Sequence, residues 1–223
     1  MRKLLLGMAA VAALTTASAS SAASIIFGST AGDIGTSTKT YTSGSYSVTA
    51  YGCTNLNLSG SSICTTDIYE KNDSGTANEA GIGLADDPSH QGEIWNNQNG
   101  QVNAIVLDVL GLTGATSASF IMNSTTDGEN YKVLGWTGTS WTTLLTGSTN
   151  DGPGTPLPGF GIYQYYAFTT DGTVGGTFGN VLLNSIVLPD VPEPATWAMM
   201  LLGFAGIGIA TRRGRRLGIA QLA

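Results

Sequence analysis

Val102-Asn-Ala-Ile-Val-Leu-Asp-Val109 reads as a strand on both of its faces. Val102, Ala104, Val106 and Asp108 point one way, and Asn103, Ile105, Leu107 and Val109 the other, because successive side chains alternate across a pleated strand. Asp108 is the one charge in the run, so neither face suits open solvent and the strand belongs inside a sheet. Further strand-like runs lie on either side of it, at residues 45–51, 63–69, 81–85, 116–123, 131–136, 141–145, 163–169 and 181–188. Turn formers separate them, among them Asn72-Asp-Ser-Gly75, Asp127-Gly128 and Asp171-Gly172. Thr137-Gly-Thr139 joins two aromatic-rich runs and predicts a tight hairpin. No amphipathic helix of ten residues interrupts the pattern. The expected fold is all-β: a β-sandwich, jelly-roll-like, over residues 24–191. Asn150-Asp-Gly-Pro-Gly-Thr-Pro-Leu-Pro-Gly159 is a rigid loop within it, since two more strands follow.

Charge is distributed unevenly along the chain. The segment 24–191 holds fourteen acids against Lys39, Lys71 and Lys132, with no arginine, so it carries −11 where the whole chain carries −6. A body this acidic disfavours nucleic acid and anionic lipid as partners. Cys53 and Cys64 are the two cysteines. In an oxidising compartment they are expected to form a disulfide, stabilising by roughly 2.8 kcal/mol through loop closure.

Both ends read as export signals. Met1-Arg-Lys3, an apolar run from Leu4 to Leu14 and small residues up to Ala23 have the three regions of a signal peptide, assigned to residues 1–23. Signal peptidase and the Sec translocon are the partners that this end predicts. At the other end, Ala195 to Ala210 is uncharged. As a helix it covers roughly 24 Å, somewhat less than the hydrocarbon core of about 30 Å. Snorkelling arginines and local thinning can absorb the difference. Arg212, Arg213, Arg215 and Arg216 flank one side only and orient a single transmembrane helix with those arginines in the cytoplasm. Pro192 and Pro194 break the chain before it, leaving Pro192-Glu193-Pro194 open to a processing enzyme.

Pro192-Glu193-Pro194, Trp197-Ala-Met-Met-Leu-Leu-Gly-Phe204 and the arginines together resemble the PEP-CTERM sorting domain of Gram-negative bacteria. The resemblance assigns residues 192–216 to a sorting and anchor segment and 217–223 to a cytoplasmic tail longer than is usual. It implies recognition by an exosortase, an integral-membrane cysteine peptidase, with cleavage near the Pro-Glu-Pro. It also implies passage through the inner membrane to the cell surface or an exopolysaccharide matrix. Asn78-Glu-Ala-Gly-Ile-Gly-Leu84, Gly92-Glu-Ile94 and Gly179-Asn-Val-Leu-Leu183 resemble uncharacterised β-sandwich ectodomains of such proteins.

Chemistry is sparser. Glu79, Asp86, Asp87 and Glu93 cluster in the most polar stretch. They would make a calcium site if residues 81–85 and 93–95 are neighbouring strands, since calcium takes about six to eight oxygens. The alternative is a solvated acidic loop. Trp95, followed by Asn96, Asn97 and Gln98, is a candidate sugar platform, and Trp136, Trp141, Tyr163, Tyr165 and Tyr166 are further candidates. Aromatic residues in strands also serve as core or cross-strand partners. His90 is the single histidine, and neither a Gly-x-Ser-x-Gly nor a His-Glu-x-x-His motif occurs. The expected function is therefore non-enzymatic: an exported structural or adhesive protein associated with exopolysaccharide or biofilm. The alternatives are a carbohydrate- or calcium-binding module and a surface glycan hydrolase, the latter needing two carboxylates about 5 to 10 Å apart.

Overall fold

The computed structural model describes residues 22–60, 64–72, 79–86, 92–95, 102–124, 129–149, 154–171, 179–189 and 200–207. Residues 22–189 form one compact unit, and 200–207 belong to another. The first is built of strands: β1 Ser24–Ile26, β2 Gly32–Asp33, β3 Thr38–Ser43, β4 Tyr46–Cys53, β5 Ile68–Lys71, β6 Gly81–Leu84 and β7 Ile94–Trp95. They continue as β8 Ala104–Asp108, β9 Ser119–Asn123, β10 Asn130–Trp136, β11 Trp141–Ser148, β12 Thr155–Pro156, β13 Tyr165–Thr170 and β14 Asn180–Val187. All pair antiparallel, in two sheets.

One sheet runs β12-β9-β14-β6-β5-β2, with β1 and β7 also on β14; the other runs β11-β10-β13-β8-β4-β3. They pack face to face. Ile105 and Leu107 of β8, Val48 and Ala50 of β4 and Phe168 of β13 meet Ile82, Phe120, Leu183 and Ile186 from the opposite sheet. Phe120 sits edge-on to Phe168 across the layers, with centroids 5.2 Å apart. Apolar area on these inner faces supplies most of the driving force for folding. The expected sandwich is present, and Val102–Val109 supplies its second sheet with a strand between β13 and β4.

Each of the nine expected runs contains a strand, with shifted ends. Of the run at 63–69, the described residues 64–69 are strand only from Ile68, where Cys64 is tied to Cys53 and the Thr66 amide donates to the Gly52 carbonyl instead of a regular ladder. Five strands lie outside those runs. β1, β2, β7 and β12 are two or three residues long. β3 points Lys39 and Tyr41 toward Glu70 of β5, so a charge occupies a position that alternation reserves for an apolar side chain.

Glu70 is the polar tie between the layers. Its fully buried carboxylate accepts from Lys39 Nζ, from the Tyr41 hydroxyl at 2.7 Å and from the Thr30 amide at 3.0 Å. The sheet bearing Glu70 is thereby fixed against the sheet bearing Lys39 and Tyr41. Close packing also demands glycine at Gly83 of β6, where a Cβ would run into the Gly92 carbonyl. Gly138, with φ +95°, turns the β10–β11 hairpin that Thr137-Gly-Thr139 predicts.

The expected signal peptide, 1–23, falls almost entirely outside the described residues. Of the expected membrane helix, residues 200–207 are helical, with Leu201, Leu202, Phe204 and Ile207 exposed. Among the described residues no helix is long and apolar enough to cross a membrane.

Candidate functional site

The second sheet, β11-β10-β13-β8-β4-β3, has an inner face in the core and an outer face with its own apolar cluster. Strand parity decides which residues reach it. On β8 the core takes Ile105 and Leu107, so Ala104, Val106 and Asp108 turn outward. Register carries the same row across the sheet: Thr38 opposes Tyr51, Tyr51 opposes Val106, Val106 opposes Ala167, and Ala167 opposes Leu134. One step along, Thr40, Thr49, Asp108 and Tyr165 form a parallel row. Trp136 and Trp141 oppose each other at the hairpin end of β10 and β11.

These rows enclose a groove of about 440 Å³, lined by Thr38, Tyr51, Cys64, Val106, Trp136, Trp141 and Tyr165. Small or aliphatic side chains run along the row through Val106, Ala167 and Leu134, while the large rings stand around it. Asp108 accepts from Gln164 Nε2 at 3.2 Å. Burial raises the pKa of the Tyr165 phenol, and the neighbouring Asp108 and Tyr51 add to the shift. The phenol therefore keeps its proton through the neutral range.

A disulfide-closed loop forms one wall. Cys53 and Cys64 are joined, with Cα atoms 4.3 Å apart. After Cys53 the chain leaves β4, its Asn55 amide donating to Asn103 Oδ1 at 3.1 Å and its Leu56 amide to the Val102 carbonyl at 2.7 Å. It reaches β11, where the Trp141 amide donates to the Leu58 carbonyl at 2.9 Å. Leu56 is buried in the outer cluster, and Cys64 returns to the edge of the groove.

The expected sugar platforms divide between the two faces. Trp136, Trp141 and Tyr165 line the groove. Tyr166, one residue on, is fully buried between the sheets, its hydroxyl donating to the Gly159 carbonyl at 2.8 Å. Tyr163 packs edge-on against Tyr166 at 5.9 Å. Trp95 belongs to β7 in the other sheet, opposite Asn180. Tyr51 completes the groove without having been singled out in the sequence. Its signal is parity, since it alternates with the core residues Val48 and Ala50.

The acidic stretch is also resolved in part. Leu84 and Glu93 do pair, as convergence of the acids requires. Glu93 then lies 2.7 Å and Glu79 3.8 Å from Lys71 Nζ, so an ammonium sits between the two carboxylates. Asp86 accepts from Asn103 Nδ2 at 3.4 Å. Asp87 and His90 lie outside the described residues. Among the described residues no group of three or more His, Cys, Asp or Glu could hold a metal ion.

The carboxyl-terminal signal is tested by comparison with known families. Residues 190–216 match the PEP-CTERM protein-sorting motif. The motif is the recognition signal of exosortase, and it marks an exported protein sorted through the membrane to the cell surface. Pro192, Glu193, Pro194, Trp197, Arg212, Arg213, Arg215 and Arg216 all fall inside the match and outside the described residues. No curated protein and no solved structure gives a significant match to the chain.

Proposed function

We infer that this PEP-CTERM protein is a structural or adhesive component of an extracellular polysaccharide matrix. The single observation that carries this reading is the sorting motif at 190–216 on the same chain as a compact, disulfide-bearing β-sandwich. Signal peptidase removes the first residues after Sec export, and the helix ahead of the arginines holds the precursor in the inner membrane. Exosortase then cuts near Pro192-Glu193-Pro194 and frees the sandwich for the surface.

The test is a mass spectrum of the mature protein, with cell fractionation, in strains with and without the exosortase. The expected result is a carboxyl terminus near Pro194 and a sandwich in the matrix fraction, both lost without the enzyme. Changing Pro192, Glu193 and Pro194 together to alanine should leave a membrane-retained precursor in the parent strain. An intact carboxyl terminus in both strains, or a processed sandwich absent from the matrix, would overturn the reading.

A further inference from the structure

The outer groove crosses the strands. Leu56 of the disulfide loop covers part of that face, and the groove left beside it has a volume of about 440 Å³. Its described lining combines the rings of Trp136, Trp141, Tyr51 and Tyr165 with the hydroxyl of Thr38. The Thr40–Thr49 hydroxyl pair and the Asp108–Gln164 pair lie on the adjoining row and edge. Apolar faces with a few placed polar groups are the usual composition of a ligand site.

That combination selects a chemistry. The axial C–H bonds of a pyranose present an apolar, slightly positive face, which suits the negative face of an aromatic ring. The equatorial hydroxyls of the same ring point outward and need donors and acceptors at the rim. A purely apolar ligand would desolvate those rim groups without using their remaining hydrogen-bonding capacity.

Charge narrows the class further. The segment 24–191 holds three lysines and no arginine, and each lysine is already committed: Lys39 to Glu70, Lys71 to Glu93 and Lys132 to Asp171. With a net charge of −11 on that segment, its field repels a polyanion.

We propose that the Trp136–Trp141–Tyr165–Tyr51 groove binds an uncharged polysaccharide, laid across the strands with ring faces on the two indoles. The proposal deepens the matrix reading above by assigning the matrix contact to one face and one class of glycan.

The test is native affinity electrophoresis of the exported protein, purified with its disulfide intact. Gels contain a soluble β-glucan, a galactomannan or dextran, with alginate as the acidic comparison. At least one neutral polymer should retard the protein, and alginate should not. W136A and W141A should each weaken retention at least tenfold, and W95A should leave it unchanged. Should either hairpin variant fail to melt cooperatively, Y165A on the interior strand β13 is the second variant, expected to lose retention while melting as the parent does.

Four results would overturn the proposal. These are no retardation by any neutral polymer, retention undiminished in well-folded groove variants, stronger retention by alginate, or a parent dimer that W136A converts to monomer. The last would assign the face to a second copy of the chain. Because purified protein is used, failure in the gel sinks the groove alone. Fractionation of the exosortase strains tests the matrix location separately.

Discussion

Trp136 and Trp141 are register partners across the β10–β11 hairpin, with ring centroids 5.3 Å apart and planes inclined at 50°. A tilted pair at a hairpin end is worth about 0.5–1.5 kcal/mol beyond its buried area. Denaturant unfolding of W136A, W141A and the double variant should therefore give a coupling energy in that range. A coupling near zero would mean that the two indoles stand independently on the groove wall.

Cys53 and Cys64 close the loop that walls the groove. Peptide mapping without reductant should recover them as one linked pair. Replacing both by serine should destabilise by roughly 2.8 kcal/mol, the chain-entropy estimate for a loop of this length. If the groove binds glycan, the same variant should bind more weakly than the parent at temperatures where both are folded, since Leu56, Leu58 and Cys64 lose their tether. Equal unfolding midpoints for the two proteins would show that the backbone bonds from Leu56 to Val102 and from Trp141 to Leu58 suffice to hold the loop.

The inner layer was legible in the sequence because alternation reports burial directly. Val102–Val109 announces a strand with neighbours on both sides, and it has them in β4 and β13. β3 was illegible for a physical reason: Thr-Lys-Thr-Tyr-Thr-Ser hides its strand character behind Lys39, whose inward position makes sense only once Glu70 stands opposite. The groove was half legible. Aromatic residues in strands could be named, but Tyr165 and Tyr166 separate only when the parity of β13 is known. Tyr51 needed the register of β4 against β8. For the acidic stretch, the spacing of the acids does not reveal that Glu79 and Glu93 both lie against Lys71 Nζ.

Glu70 makes stability depend on acid. Burial alone would raise its pKa, but hydrogen bonds from Lys39, Tyr41 and the Thr30 amide, with the Lys39 charge, outweigh burial and leave it below the usual carboxylate value. A carboxyl with a depressed folded-state pKa contributes stability above its unfolded value, and that contribution disappears as pH falls through the folded value. The parent should thus lose melting temperature below about pH 4, the ordinary range of a free glutamate. Glu70→Gln should be less stable at pH 7 by about 1–3 kcal/mol and should show a flatter acid limb. An identical acid limb in parent and variant would place the titrating group elsewhere.

Tyr165 and Tyr166 are neighbours on β13 with opposite tasks. The Tyr166 ring is fully buried, its hydroxyl bonded to the Gly159 carbonyl, and its pKa is pushed up to about 12 by burial first and by Tyr163 second. Tyr166→Phe removes that bond while the Ile162 amide still donates to the Gly159 carbonyl at 2.9 Å, so it should cost about 1 kcal/mol of stability while leaving polysaccharide retention intact. Tyr165→Ala removes a partly exposed ring from the groove and nothing from the layer between the sheets. It should abolish retention with little change in the unfolding midpoint. Measuring both quantities for both variants separates a face used for binding from one used for packing. If Tyr165→Ala lost stability and kept retention, the outer rings would be a second core beneath the disulfide loop, and the glycan contact would have to be sought on another surface.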